Sequence, residues 1–339
     1  MSSVWIAAAV TLVATAVVWK GSALLETTSE RLSEHYGLPP VVQGSVVAAI
    51  GSSFPELSIS VLSVVLHGSF DLGVGAVVGS AVFNVLVIPG AAALLATDDL
   101  DANRDVVYKE ALFYMLSVAT LLVVFSLGVI YYPVEGQRLV AEIPPWLAML
   151  PIGLYGLYVF IQYSDTAEYV PDSPPAEVDS PARQWGLLAL SLALVLIAVE
   201  GFVYGAQVFG TAFGISEALW GLTVVAAATS LPDTLVSVRA ARRGKGVTSL
   251  GNVLGSNVFD LLIAVPAGIV LAGGAVIDYS VATPMMAFLV FATVVLFTAL
   301  RTDLQVSDRE AGLLLVIYGL FLVWMVLEAI DVLSAVPGL

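Results

Sequence analysis

The sequence predicts an all-α membrane protein with ten transmembrane helices, arranged as two inverted five-helix repeats. Three observations support this fold class. The 339 residues are 59% hydrophobic, with a mean hydropathy of +0.98, whereas soluble domains are roughly 45–50% apolar. The apolar residues form blocks long enough to cross a ~30 Å hydrocarbon core as helices. A pair of short motifs in the first half of the chain also recurs in the second half.

The predicted spans are apolar blocks with few charges. They lie near 3–23, 40–66, 72–97, 107–132, 144–162, 185–213, 216–240, 248–273, 279–300 and 311–334. The first block runs into Lys20 without a small-residue cleavage site, so we expect a retained helix rather than a signal peptide. The chain has no cysteine, which excludes disulfides and thiolate metal sites.

The basic residues predict the orientation. If the N-terminus lies outside, all of the 12 Lys and Arg residues except Arg138 fall in cytoplasmic loops. This asymmetry is the positive-inside pattern. We therefore expect a multi-pass protein of the cell membrane with both termini outside. We expect it to contact the lipid bilayer and to have no nucleic acid partner. We also expect it to function as a monomer.

Two motifs occur twice in the sequence. Segment 51–56 (GSSFPE) resembles 228–233 (ATSLPD), and segment 79–84 (GSAVFN) resembles 255–260 (GSNVFD). In each half the motifs lie on the second and third predicted helices of a five-helix group. Because five is odd, the second group enters the membrane from the opposite side. This arrangement predicts inverted repeats with a shared site near the midplane.

The repeats define three segments. We assign residues 1–163 to the first five-helix repeat, 164–183 to a flexible cytoplasmic linker and 184–339 to the second repeat. The linker is rich in Pro, Asp, Ser and Glu, a composition that cannot bury a core. It is also short, so we expect no regulatory domain there.

Carboxylates within the apolar blocks indicate a polar site. Glu56, Asp233 and Asp260 belong to the repeated motifs, and Asn84 occupies the position that corresponds to Asp260. Such residues in spanning helices are costly and usually face a partner or a water-filled cavity. Hydroxyl residues three or four positions earlier share a helix face with them. They are Ser52, Ser53, Ser80, Thr229, Ser230 and Ser256.

Oxygen atoms dominate this predicted site. Hard cations such as Ca²⁺ take about 6–8 oxygen ligands, and no His or Cys accompanies the stripes, so zinc and copper are not expected. Pro55 and Pro232 cannot donate a hydrogen bond, which releases the carbonyls four residues earlier. We expect the helices to open further at Ala49 and Ala226, whose carbonyls would add ligands.

Other features allow more than one interpretation. The pairs Gly75/Gly79 and Gly251/Gly255 predict close helix approach. His35 and His67 are expected to be ordinary surface residues near helix ends. Glu200 has no carboxylate counterpart in the first half, so it is equally compatible with a structural, a gating or a ligand role.

The motifs resemble those of the calcium/cation antiporter superfamily, in particular the sodium/calcium exchangers. Segments 51–89 and 228–260 are most similar to the potassium-dependent branch. The resemblance implies a secondary active transporter, not an enzyme, that exchanges Ca²⁺ for Na⁺ by alternating access without a cofactor. The resemblance leaves open whether K⁺ is a third transported ion. Ala76 and Ala81 depart from the usual prokaryotic pattern, which has asparagine there.

The resemblance also implies roles for individual residues. Glu56 and Asp233 would be the principal calcium carboxylates, and Asn84 and Asp260 the flanking ligands. The six hydroxyl residues would coordinate Na⁺ or Ca²⁺, with backbone help from Ala49 and Ala226. The first and sixth helices would be the mobile pair.

Two alternative functions and one chemical ambiguity stay open at this point. A proton/calcium antiporter on the same fold would need only the carboxylates, whereas the Ser/Thr stripes favour sodium. An intramembrane aspartyl protease would use Asp233 and Asp260, but it gives the Glu56/Asn84 set no role. Asp260 either holds K⁺ beside Ca²⁺ or is protonated, because burial near like charges disfavours its ionised form.

Overall fold

The structure is a computed structural model that describes residues 2–37, 49–96, 100–104, 106–164, 180–330, 332, 333 and 336. Within these residues, eight helices are long and apolar enough to cross a membrane, and a bent helix pair makes a ninth candidate. The start of the predicted span 40–66 lies outside the described residues, as does most of the predicted linker 164–183. The protein is thus a mostly helical, multi-pass membrane protein.

In the first part of the chain, the described residues form six helices and two short strands. They are α1 (Ser2–His35), α2 (Ala49–Ser52), α3 (Phe54–Val65), α4 (Phe70–Leu95), β1 (Leu100–Asp101), α5 (Ala111–Tyr131), β2 (Val140–Ile143) and α6 (Pro145–Ser164). A wide π turn, Val106–Glu110, leads into α5. Helix α1 continues well past the predicted block 3–23, because an apolar run marks the part that fits in hydrocarbon and not the end of the helix.

The second part contains eight helices and two strands. They are α7 (Pro181–Phe213), α8 (Glu217–Trp220), α9 (Ala226–Thr229), α10 (Leu231–Arg242), α11 (Gly246–Phe259), α12 (Val265–Ala272), β3 (Ala275–Asp278), α13 (Tyr279–Arg301), β4 (Gln305–Val306) and α14 (Asp308–Ala329). The π turns Gly221–Val225 and Asp260–Ala264 join α8 to α9 and α11 to α12. Such wide turns are rare and often lie at functional sites.

Two spans are broken at equivalent positions. Only Ser53 separates α2 from α3, and only Ser230 separates α9 from α10. Pro55 and Pro232 follow two residues after these serines, where their missing N–H groups leave the preceding turn without its usual hydrogen bond. The second break bends its span by 42°. The helix interruptions predicted from the prolines are therefore present.

Helix α4 is the centre of the fold, with nearly all of its residues buried. The predicted close approach at Gly75 and Gly79 is confirmed. A methyl group added at Gly79 would lie 2.4 Å from the carbonyl oxygen of Leu222, and one at Gly75 would lie 2.5 Å from that of Ala218. These glycines bring α4 against the span that begins with α8.

The same prediction for Gly251 and Gly255 stays a prediction. In the first repeat, the positions that correspond to Ala218 and Leu222 fall within 38–48, outside the described residues. Gly221 makes a further close approach between α4 and the span that begins with α8, since an added methyl there would lie 2.5 Å from the Leu72 carbonyl oxygen.

Two short antiparallel ladders connect loops that are distant in sequence. In one, Leu100 of β1 pairs with Val306 of β4. In the other, Val140 of β2 pairs with Asp278 of β3. The ladders therefore join loops of the first part to loops of the second part.

Helices α1 and α7 form a long peripheral pair. Small residues let them pack closely: a methyl group at Gly201 would lie 2.9 Å from the Ala14 side chain, and one at Gly21 would lie 3.0 Å from that of Val195. Most residues of both helices are not buried, in contrast to α4. The pair thus lies on the outside of the bundle.

Candidate functional site

The two principal predicted carboxylates lie immediately after the helix breaks. Glu56 is in the first turn of α3 and Asp233 in the first turn of α10. Their side chains are buried, with relative exposures of 1% and 2%. A helix N-terminus carries a partial positive charge, which favours a carboxylate there, while the ends of the short helices α2 and α9 present carbonyl groups. The breaks thus supply two kinds of oxygen near one place.

Ser80 on α4 connects the two breaks. Its hydroxyl donates to Oε1 of Glu56 at 3.1 Å and lies 2.8 Å from the hydroxyl of Ser230. Ser80 and Ser230 are fully buried. A carboxylate from one repeated motif and a hydroxyl from the other are therefore held by one side chain.

A corresponding contact connects α2 with α11. The hydroxyls of Ser52 and Ser256 lie 2.9 Å apart, and both interact with the Asp233 carboxylate. Ser53 donates to the Ser256 carbonyl oxygen at 3.5 Å and interacts with Asp260. The hydroxyls of the first motif thus face the carboxylates of the second half.

The region around Ala226 differs from the expectation. Thr229 interacts with Glu56, but its hydroxyl also donates to the carbonyl oxygens of Val225 and Ala226, at 3.1 and 3.2 Å. The Ala226 carbonyl also accepts the N–H of Ser230 at 3.1 Å. The expected opening at Ala226 is therefore absent, because the chain keeps its helical bond there and breaks one turn later. Ala49 begins α2 at the edge of the described residues.

Asn257 is a site residue that the sequence analysis missed. The Asn84 side chain donates to Oδ1 of Asn257 at 2.9 Å, and Asn257 donates to the Ala81 carbonyl oxygen at 3.4 Å. Ala81 is the residue that corresponds to Asn257 in the first motif. The mismatch between the two copies at this position was the signal that could have identified Asn257. Where one copy has alanine, the asparagine of the other copy has no matching amide and can bind across to the first motif.

Several buried acceptors at the site receive no hydrogen bond from the described residues. They are Oε2 of Glu56, Oδ1 of Asp233, both carboxylate oxygens of Asp260 and Oδ1 of Asn84. Buried polar atoms are rarely left unpaired, because they lose their water contacts without compensation. A cation or a proton would supply the missing partner.

The carboxylates lie close enough to repel one another. Asp260 is within electrostatic range of Glu56 and Asp233, and Asp233 is also within range of Glu26 on α1. Glu26 was not predicted, although its four-residue spacing from Glu30 marks one face of α1. In the described part of the chain, no group of three or more His, Cys, Asp or Glu side chains forms a metal cluster. Hydroxyl, amide and carbonyl oxygens would thus have to complete any cation shell.

His67 and Glu200 form a pair outside the motifs. Nε2 of His67 lies 3.0 Å from Oε2 of Glu200. His67 is exposed, as expected for a residue near a helix end, but its ring contacts α7. The sequence offered no sign of this contact.

Comparison with known proteins places this geometry in a family. A family model described as "Sodium/calcium exchanger protein" matches residues 6–164 and 183–327. The chain belongs to this family. Its members are transporters, so this exchanger is not an enzyme, and the aspartyl protease alternative is excluded.

The exchanger resembles proteins of known type along most of its length. It is 27% identical over 336 residues to the sodium/calcium exchanger MaX1 of Methanosarcina acetivorans, covering 90% of this chain and 94% of MaX1. It superposes on the sodium-calcium exchanger NCX_Mj with a TM-score of 0.64 at 25% identity, covering 94% of this chain and 98% of NCX_Mj. The fold also matches the H⁺/Ca²⁺ exchanger CAX, with a TM-score of 0.73 at 16% identity over 93% and 82% of the two chains. The family thus exchanges calcium for another cation on a shared fold.

Proposed function

We propose that this protein exchanges Ca²⁺ for Na⁺ across the cell membrane by alternating access at one buried site. Glu56 and Asp233 supply the charge, and Asn84 and Asp260 flank them. The remaining oxygens come from Ser52, Ser53, Ser80, Thr229, Ser230 and Ser256 and from the backbone of Ala49 and Ala226. One observation carries the proposal: two buried carboxylates at matching helix breaks each keep an oxygen atom that receives no hydrogen bond from the described residues.

The ligand chemistry supports a hard cation as cargo. The acceptors without donors are all oxygen atoms, and the contacts around them are made by hydroxyl and amide groups. Ca²⁺ prefers such oxygens and takes about 6–8 of them. Na⁺ binds the same kind of ligand but carries half the charge of Ca²⁺. Several Na⁺ ions can therefore bind to the same oxygen atoms that one Ca²⁺ would use.

Charge balance explains why such a site would exchange ions rather than leak them. Glu56 and Asp233 together carry two negative charges, which one Ca²⁺ or two or more Na⁺ would neutralise. An empty site would leave these carboxylates unpaired at low dielectric, and that cost opposes the change of access. The ion-loaded protein therefore changes its access from one side of the membrane to the other, whereas the empty protein does not.

The two β-ladders support an inverted arrangement of the two halves. In the proposed topology, β1 and β4 lie in loops on the cytoplasmic side, and β2 and β3 lie in loops outside. Exchanging the halves converts the β1–β4 pair into the β3–β2 pair. Both pairs are present and antiparallel, as a two-fold axis in the membrane plane would require.

The proposed boundaries follow the same division. Residues 1–163 form one repeat, 164–183 the cytoplasmic linker and 184–339 the other repeat. The two segments that match the family model flank this linker, which supports the division. The basic residues support a cytoplasmic linker and two outside termini.

Sodium is favoured over protons as the coupling ion. The Ser80 hydroxyl lies at the Glu56 carboxylate and the Ser230 hydroxyl lies next to it, where a proton would need no further ligand but Na⁺ would. MaX1 and NCX_Mj, which this chain resembles over most of its length, are both described as sodium–calcium exchangers. The likeness to CAX is one of fold alone, and the same fold accommodates either coupling ion.

The proposal extends to K⁺ as a third transported ion, bound near Asp260. Both Asp260 oxygens are buried without a donor, and Asn84 Oδ1 is likewise unpaired. An ionised Asp260 would give the calcium-loaded site a third negative charge. A K⁺ ion beside Ca²⁺ would balance that charge.

The test is calcium uptake into proteoliposomes that contain the purified exchanger. Internal Na⁺ is expected to drive uptake from Na⁺-free medium, and a pH gradient alone is expected not to. Liposomes with Glu56→Gln control for leaks. Uptake driven by the pH gradient without Na⁺ would favour the proton/calcium antiporter instead.

A further inference from the structure

We propose that the side chains of His67 and Glu200 form a latch that holds α7 closed over the site on the side of the 67–69 loop. This inference depends on alternating access at the site proposed above. It assigns a positioning role to two residues outside the repeated motifs.

The peripheral pair α1–α7 is the part of the bundle that can open most easily. The site carboxylates are buried, so an ion can reach them only if a covering element moves. Helix α4 is almost completely buried, whereas α1 and α7 are not. Both peripheral helices also contact the region of the breaks: a methyl group at Gly51 would lie 3.6 Å from Cα of Glu26, and Ile59 of α3 packs in one cluster with Val199 and Phe202 of α7.

The contact between α3 and α7 is an apolar seam. Ile59 lies three residues after Glu56, about one turn nearer to the 67–69 loop, and it is fully buried. An ion that entered from the side of that loop would have to pass this seam. Apolar surfaces carry no directional bonds, so the seam by itself defines no fixed position for α7.

The latch supplies the directional bond that the seam lacks. His67 follows the end of α3 at Val65, and Gly68, with φ of +67°, turns the chain there. The ring nitrogen meets Oε2 of Glu200 at 3.0 Å, while Oε1 of Glu200 receives no hydrogen bond from the described residues. A carboxylate that moved with α7 would lose its bond to His67, which favours the closed position.

The other end of the pair has a different set of contacts among the described residues. Glu26 on α1 is attracted by Arg239 of α10 and repelled by Asp233, and neither contact involves His67 or Glu200. The latch therefore acts on one face of the membrane. Breaking it should shift the access equilibrium towards opening on the 67–69 side.

The chain has no cysteine, so a single reporter can measure this opening. The reporter is Ile59→Cys, and its labelling by a membrane-impermeant thiol reagent is timed from each side of sealed vesicles. Exposed ion pairs shift equilibria by up to about fivefold. Glu200→Ala and His67→Ala are thus expected to speed labelling two- to fivefold from the 67–69 side only. His35→Ala, which changes the other histidine, is the control.

A charge swap separates a latch from a general loss of packing. The double variant His67→Glu/Glu200→His should return labelling towards the rate of the reporter alone. The inference is overturned if the single variants label like His35→Ala, or if variants that elute as folded protein show faster labelling that the swap does not reverse. The assay needs no coupling ion, so a failure of Na⁺-driven uptake would refute the proposed function and leave this test intact.

Discussion

The two helix breaks share a backbone design but differ in charge. Each consists of a serine, a proline two residues later and a carboxylate three residues after the serine. The motifs that face them are not equal: Asn84 corresponds to Asp260, and Ala81 to Asn257. The two copies therefore share the residues that form the helix breaks and differ in the charge and amide groups that face them.

The largest effect is expected at the shared carboxylates. Glu56→Gln and Asp233→Asn should each reduce calcium transport by at least about a hundredfold, because Ca²⁺ would be left with an uncompensated charge at low dielectric. The measurement is calcium uptake into proteoliposomes. Equal losses would show that the two breaks are equivalent.

Glu328→Gln is the matched control for these variants. Glu328 is also a buried membrane carboxylate, but it accepts from the Trp324 indole at 2.9 Å, outside the motifs. Glutamine can accept the same bond, so uptake should be close to that of the unchanged protein. Normal exchange by Glu56→Gln would refute the carboxylate assignment.

The next effect concerns stability. A methyl group in Gly79→Ala would lie 2.4 Å from a backbone oxygen, which should cost about 1–3 kcal/mol or more. Thermal unfolding in detergent should show a clearly lower Tm. Gly319→Ala changes an exposed position of α14, where no described residue lies within 4 Å of an added methyl, and should leave Tm unchanged or slightly higher, since alanine favours a helix. Equal shifts would mean that the close contact at Gly79 carries no packing cost.

A smaller effect is expected where the two copies differ in charge. With Asp260 ionised, K⁺ should stimulate calcium exchange roughly tenfold, an interaction of ~1.4 kcal/mol. Asp260→Asn removes the charge and should run at the same rate with or without K⁺. If K⁺ changes the rate of neither protein, Asp260 is protonated during transport and K⁺ is not a substrate.

The smallest effect is expected at Asn257. Asn257→Ala removes the partner of Asn84 and leaves a buried donor unpaired, which should weaken apparent calcium affinity by about five- to tenfold. Adding Asn84→Ala to the Asn257→Ala variant should weaken the calcium affinity little further, because the two side chains form one hydrogen bond with each other. Fully additive losses would contradict a shared role.

The sequence predicted the parts of the fold and site that depend on local pattern. The prolines at 55 and 232 identified the breaks, and four-residue spacing placed Ser80 on the same helix face as Asn84. These features repeat within the chain, so each copy supported the other. Local chemistry also limits what such patterns show: the hydrogen bond to Ala226 persists although the proline lies nearby.

The missed features depend on contacts between distant segments. His67 and Glu200 lie 133 positions apart, and neither belongs to a repeat. Asn257 was missed for the same reason, since its partner Asn84 lies 173 positions away in the other half.

The two β-ladders have a consequence for biogenesis. Strand β1 follows the third predicted span, but its partner β4 precedes the last helix, so this ladder can close only when synthesis is nearly complete. Strand β2 must likewise wait for β3. The first half therefore enters the membrane before β1 and β2 have partners, and the second half supplies those partners. Release of a chain truncated before β4 would leave the β1 edge unpaired, and truncation before β3 would leave both edges unpaired, so assembly is expected to need both halves.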